Sequence, residues 1–387
     1  MKTKTLVILL VILGVLAGTG TLLIYSRDMR SPSGAMGAPL LKGLPANDIA
    51  SIVIQTSNTA VCLEKKADSW IVKERFNYPA DFSKISDLVR TLKEVKVGRK
   101  FEASEKVLKR LSLKSPDDAN ALEEERGTRI RMTDSKGKTL LDMALGKTRI
   151  RDQRKGPPDG QYVMVGNGRE IYLIDKILSS FASGPAEWLE KSPVHVDAEE
   201  IRQITCFGPG STGVRYRLAR PAMGKDFALI EPSISRNIKK SSLNRLSNAL
   251  SSLEIKDVAT ASASPASMGE GASSQLDYLL FDGRVYHVTV QKACSATVPC
   301  QIRFGVAYQR PEPAKQEAKS GDATEKRSPA EAKSEEALAA EATEENERLK
   351  PWVFTIPEWQ HKAFFADLEQ LLEKKTEKKG ADSTPVK

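Results

Sequence analysis

An uncharged apolar run from Thr5 to Tyr25, held between Lys2 and Lys4 on one side and Arg27-Asp28-Met29-Arg30 on the other, constrains this chain most. About twenty residues at about 1.5 Å each reach about 30 Å, the thickness of a bilayer's hydrocarbon core. No later stretch comes close to a second span. The sequence therefore predicts a cytoplasmic N-terminus at 1–4, a transmembrane anchor at 5–26, a linker at 27–44 and a body tethered to one membrane. A cleaved signal peptide is the rival reading, with Ser33-Gly34-Ala35 as a cleavage site, although signal h-regions usually run only about 7–15 apolar residues. No cysteine directly follows the run to carry a lipid. The short basic N-terminus is the easier end to keep in the cytoplasm, which puts the body outside, on a bacterial-type inner membrane. Gly14 and Gly18 sit four apart in the span, a spacing that lets two transmembrane helices approach closely. Ordinary glycine usage in such helices is the alternative.

Composition suits an exterior globular body. Of the 387 residues 40% are hydrophobic, enough to bury real cores, and the length predicts two or three domains. The net charge of +9 comes without stretches that alternate basic and aromatic residues, which argues against a nucleic-acid partner. Four cysteines are too few for a disulfide-supported fold. Cys62 and Cys206 lie in apolar alternating segments, whereas Cys294 and Cys300 stand between two strand-like runs and are placed to close a hairpin by a disulfide. Their spacing along the chain is wrong for a metal site, and no histidine is near in sequence.

The body reads as one plan written twice. In the first half, alternating strands at Asp48–Ile54, Ala60–Leu63 and Ser69–Val72 lead through Pro79-Ala80-Asp81 into a helix carrying Ile85, Leu88, Val89, Leu92 and Val95. In the second half, Glu200–Cys206, Val214–Leu218 and Phe227–Ile230 lead into a helix carrying Leu243, Leu246, Leu250 and Leu253. Hairpins follow, around Ser135-Lys136-Gly137 and around Asp282-Gly283-Arg284. Each half closes with a strand and a helix: Glu170–Ile174 into Lys176–Phe181, and Trp352–Ile356 into Glu358–Leu372. The fold class predicted is α+β, with antiparallel strands plus helices in two tandem, internally duplicated modules at 45–190 and 195–375. A charged stretch at 309–350 has too little apolar surface to offset its ordering entropy and is expected to be disordered or a solvated helix, and the tail at 376–387 is expected to be disordered.

No catalytic constellation is legible. The three histidines, His195, His287 and His361, lie far apart in sequence, and neither a phosphate loop nor a dinucleotide fingerprint is present. No enzymatic activity and no cofactor are expected. Lys147, Arg149, Arg151, Arg154 and Lys155 gather on a loop that could meet an anion or a lipid headgroup, or could simply be solvated. Trp70, Trp188 and Trp352 sit among apolar neighbours and read as core, with sugar platforms as the other use of such residues.

The anchor, Ser69-Trp70-Ile71-Val72, Tyr78-Pro79-Ala80-Asp81 with its Leu/Val helix, Leu145-Gly146, Ile171-Tyr172-Leu173 and Glu187-Trp188-Leu189 together resemble the bacterial domain-of-unknown-function 4340 family. The resemblance covers about 1–190 well and the second half more loosely. It implies a non-catalytic, extracytoplasmic accessory subunit of an ABC-type export or gliding-motility-like complex. The partners implied are a permease, an ATPase and a second auxiliary protein. It supplies no catalytic residues. Two other readings remain open: a stand-alone envelope module binding cell-wall glycan or lipid headgroups, and an envelope-acting hydrolase.

Overall fold

The computed structural model describes residues 36–41, 43–67, 69–150, 157–166, 168–208, 213–234, 236–261, 273–292, 294–295, 297–310, 333–364 and 367–373. The expected anchor at 5–26 with Gly14 and Gly18, the loop cations Arg151, Arg154 and Lys155, and the tail at 376–387 lie outside them. Among the described residues no helix is long and apolar enough to cross a membrane. The chain divides into two units, Met1–Leu189 and Glu190–Lys387.

The first unit is built on a nine-stranded antiparallel sheet. Its strands are β1 (Ser51–Gln55), β2 (Ala60–Lys66), β3 (Ser69–Val72), β4 (Tyr78–Pro79), β5 (Val97–Glu102), β6 (Thr128–Thr133), β7 (Thr139–Arg149), β8 (Gly160–Val165) and β9 (Glu170–Ile174). They lie in the order β4-β3-β2-β1-β6-β7-β8-β9-β5. Register is fixed by alternation: Ile52 pairs with Leu63 and Met132, Ile54 with Val61 and Ile130, and all six are buried. Slipping β1 by one residue would expose its whole apolar set.

Helix α1 (Phe82–Glu94) enters between β4 and β5. Pro79 cannot continue a ladder, and Asp81 caps the helix by accepting from the Lys84 amide at 3.1 Å. Ile85, Leu88 and Leu92 form its buried stripe, each contributing roughly 1.5–3 kcal/mol of apolar burial. The end of the unit returns to this cap: the Asp81 amide donates to the Trp188 carbonyl at 2.8 Å. Lys84 Nζ lies 4.7 Å from the centre of the Trp188 ring, which is wholly buried. Short helix α2 (Glu105–Arg110) precedes a satellite core of Leu111, Leu113 and Ile171. Gly146 belongs there because a Cβ at that position would run into the Leu111 carbonyl and the Leu113 side chain.

The second unit carries eight strands: β10 (Ile201–Phe207), β11 (Val214–Ala219), β12 (Ala228–Glu231), β13 (Asp257–Thr260), β14 (Ser273–Leu280), β15 (Arg284–Gln291), β16 (Cys300–Tyr308) and β17 (Trp352–Ile356). Their order is β12-β11-β10-β14-β15-β16-β17-β13. Reading β10 for β1, β11 for β2 and onward, this is the order of the first sheet with β4 left out. Helix α3 (Lys240–Ser247) enters between β12 and β13, as α1 does between β4 and β5. Helices α4 (Glu335–Leu349), α5 (Glu358–His361) and α6 (Leu368–Leu371) complete the unit. Both units are thus mostly antiparallel sheet with a few helices, an α+β architecture.

Three expected helices come out shorter, and side-chain hydrogen bonds to the backbone accompany each break. The helix expected to run on to Leu253 stops at Ser247. Asn248 Nδ2 donates to the Asn244 carbonyl, and Ser251 and Ser252 hydroxyls donate to the Asn248 carbonyl. The helix expected at Lys176–Phe181 is a single 3-10 turn, since Gln161 Oε1 accepts from the Leu178 and Ser179 amides. The helix expected at Glu358–Leu372 breaks into α5 and α6, the second started afresh by Asp367, whose carboxylate accepts from the Glu369 amide.

In the charged stretch at 309–350 the helical alternative is seen over 335–349, but the helix is anchored and not merely solvated. Residues 311–332 lie outside those described, but Ser334 caps an ordered α4 by accepting from the Ala337 amide at 3.2 Å. Ala342 and Leu349 are the buried apolar residues of this helix. Polar anchors supply the rest: Tyr286 donates to Glu345 at 2.7 Å, and Arg348 donates to the Pro193 carbonyl at 2.9 Å. Apolar content alone therefore understates what can hold such a helix.

Candidate functional site

Of the five loop cations read from sequence, Lys147 and Arg149 are described, and Arg149 is engaged within the fold. Its Nε and Nη2 donate to the two Asp159 oxygens at 2.8 Å each, a fork that raises the guanidinium pKa. This pair ties β7 to the start of β8, which makes Arg149 a structural residue first. Trp70 and Trp188 are buried, as core residues should be.

In the first unit, the exposed side of α1 borders an apolar groove of about 490 Å³. Phe82, Ile85 and Val89 line it from the helix, Trp70 from β3, and Ala46 and Ile49 from the chain entering β1. Phe82 is 62% exposed, unusual for a phenylalanine beside an apolar cavity. Arg90, Lys93 and Glu94 give the groove a mixed charged rim. The sequence places Phe82 at the start of a helix but gives no sign that it stays outside the core.

The second unit holds a larger cavity, about 700 Å³, between β14–β15 and the α5–α6 segment. Arg215, Lys292 and Lys362 bring positive charge to it, Asp367 a carboxylate, and Val290, Phe364 and Leu368 an apolar wall. Cys294 and Cys300 are joined in a disulfide at its edge. His361, separated from them in sequence by α4 and β17, stands beside that disulfide. The two Sγ atoms and a His361 ring nitrogen lie within 4.8 Å of one another. The fold, not the spacing along the chain, assembles this group. Cys62 and Cys206 form no disulfide; burial pushes the Cys206 thiol up to about 11.

A smaller polar cavity of about 330 Å³ gathers Arg202, Arg217 and Arg310, of which Arg217 pairs with Glu231 and Arg310 with Glu335. Across the sheet, His287 Nδ1 donates to Asp277 Oδ1 at 2.8 Å, and this bond raises the imidazole pKa. Gln275 Nε2 donates to the same oxygen at 2.8 Å. His195 lies apart from both groups, exposed and 3.5 Å from Asp197.

The two units thus share an antiparallel, mostly β architecture of matching strand order, with an apolar groove in the first and a cavity carrying three cationic side chains in the second. Residues 70–270 match the family described as domain of unknown function DUF4340, so the chain belongs to that family. The match begins in β3 and reaches past β13, so it spans parts of both units and extends further into the second than the sequence resemblance did. Comparison with characterised proteins and with solved structures returns no match.

Proposed function

We propose that the chain is a non-catalytic, membrane-anchored extracytoplasmic accessory subunit of an ABC-type export or gliding-motility-like complex, acting by protein–protein contact. The groove beside Phe82 carries this reading. An exposed apolar surface with a charged rim is what a protein partner covers. Its position suggests which partner. The incoming chain is held against the end of α1 by Gly37 N to Val97 O at 2.7 Å and Leu40 N to Val95 O at 2.9 Å. It then contributes Ala46 and Ile49 to the groove. About twenty residues separate the expected span from Ala46, no more than about 70 Å even when extended. The groove is thus within reach of the membrane, and its occupant is a segment of an integral membrane subunit.

Two further observations support the setting. A disulfide between Cys294 and Cys300 suits an oxidising compartment outside the cytoplasm. The recurrence of one strand order, with a helix inserted at the same point, supports an internal duplication that doubled the available surface.

Co-purification of the tagged, chromosomally expressed protein in a gentle detergent, with mass spectrometry of what accompanies it, tests the reading. Stoichiometric permease and ATPase are expected. Recovery of the chain alone would remove it. The second reading, binding of an anionic glycan or lipid headgroup, rests on Arg215, Lys292 and Lys362 around the 700 Å³ cavity. It would then lead.

A further inference from the structure

We infer that Cys294, Cys300 and His361 form a redox-gated metal site: a disulfide when oxidised, and a three-ligand Zn2+ site when reduced. The two cysteines come from the end of the β15–β16 hairpin, and the histidine comes from the last residue of α5. Around a tetrahedral zinc with Zn–S of about 2.3 Å and Zn–N of about 2.0–2.1 Å, ligand atoms stand about 3.5–3.8 Å apart. The three ligand atoms here already lie within 4.8 Å of one another, so small movements suffice once the sulfurs are unbonded.

The histidine is prepared for the role. Its Nε2 lies 2.6 Å from the Gln291 carbonyl, which can only accept, so Nε2 carries the proton. The lone pair is thereby fixed on Nδ1. A metal-binding imidazole whose other nitrogen donates to a backbone carbonyl is the usual outer-shell arrangement, and it sets both tautomer and ring orientation. Arg215, Lys292, Lys362 and the Asp367 carboxylate line the same cavity. With only three protein ligands and a cavity of about 700 Å³ alongside, the fourth position is left for water or a ligand atom.

Gating follows from the accessibility of the two sulfurs. Cys300 is 5% exposed, whereas Cys294 lines the cavity, so an incoming dithiol meets Cys294 first. Its thiolate attacks Cys294 Sγ, the Sγ–Sγ bond breaks, and Cys300 leaves as a thiolate. The second thiol of the reductant then displaces Cys294. Two electrons and two protons have passed to the protein, and the dithiol has become a disulfide. Zinc binding then releases the two thiol protons and forms two Zn–S bonds and one Zn–N bond. A disulfide oxidant reverses the sequence by thiol–disulfide exchange: it takes the two electrons and leaves as a dithiol, and the metal is released as the Sγ–Sγ bond re-forms.

The test uses the full chain in detergent, in a Cys62→Ser background so that the accessible free thiol cannot contribute. The protein is reduced with a phosphine under argon, freed of reductant and titrated with Co2+, then with Zn2+ in competition. The expected result is one equivalent of Co2+ with tetrahedral visible bands and thiolate-to-cobalt charge transfer, displaced by Zn2+, and no such spectrum for the oxidised protein. His361→Gln keeps a donor for the Gln291 carbonyl, so the fold should persist, while metal affinity falls at least about tenfold. Cys300→Ser should abolish the charge-transfer spectrum. Reduced protein that binds no Co2+ through thiolate would overturn the proposal, as would His361→Gln binding as tightly as the parent with a matching circular dichroism spectrum.

Discussion

The Asn346 side-chain carbonyl accepts from the backbone amide of Val306 at 3.0 Å. Strand β17 pairs with β16 only at Cys300–Ile302, so the rest of that edge is open, and α4 closes part of it through this one amide. Asn346→Ala should therefore cost about 1 kcal/mol of stability and leave that amide exposed. Hydrogen exchange is the check: faster exchange confined to α4 and the second half of β16 is expected, and uniform protection would contradict it.

Gly146 is fixed by close approach. A Cβ there meets the Leu111 carbonyl and the Leu113 side chain of the satellite core. Gly146→Ala should destabilise the first unit by about 1–3 kcal/mol through overpacking. Urea unfolding followed by a signal from Trp188, which lies in that unit, reads the shift. Gly137, where nothing crowds a Cβ but φ is +79°, should lose less.

The Asp277 hydrogen bond holds the imidazole of His287 above its ordinary value of about 6.5. A raised folded-state pKa means that the protonated form is the one the fold stabilises. That stabilisation is fully present below about pH 6.5 and is lost as pH rises through the higher folded value. Histidine NMR titration should show His287 titrating above about 6.5, and Asp277→Asn should bring it down. A midpoint unchanged by that substitution would contradict the assigned cause.

Much of the fold was legible because its signals are local. Alternation at Ile52 and Ile54, the turn at Asp282-Gly283 and the Asp81 cap each act within a few residues, and the strands and helix they predict are present. The shortening at Lys176–Phe181 was hidden because the partner is distant: Gln161 accepts from the amides of Leu178 and Ser179 from across a hairpin. A helix near α4 was among the sequence readings, but its anchoring was not, since Tyr286 and Val306 supply contacts that an Ala- and Glu-rich composition does not announce. At the candidate sites the divide is sharper. Cys294 and Cys300 were visible as a pair, but His361 joins them only through the return of the chain after α4. Phe82 reads as an ordinary helical apolar residue until its exposure is known.

Phe82→Glu should leave thermal stability nearly unchanged, because a 62% exposed side chain contributes little to the core. The same change should strip the membrane partner from the purified protein, since a carboxylate in an apolar groove is costly to desolvate. Loss of stability together with loss of the partner would show that Phe82 acts on the fold instead.

The most direct measurement is photo-crosslinking in intact cells from a benzophenone amino acid placed at position 82, with position 136, on the exposed β6–β7 turn, as the control. The account predicts one dominant adduct from position 82, identified by mass spectrometry as an integral membrane subunit of a transport complex, and none of it from position 136. No adduct at position 82, or the same scatter of adducts from both positions, would contradict a partner-filled groove.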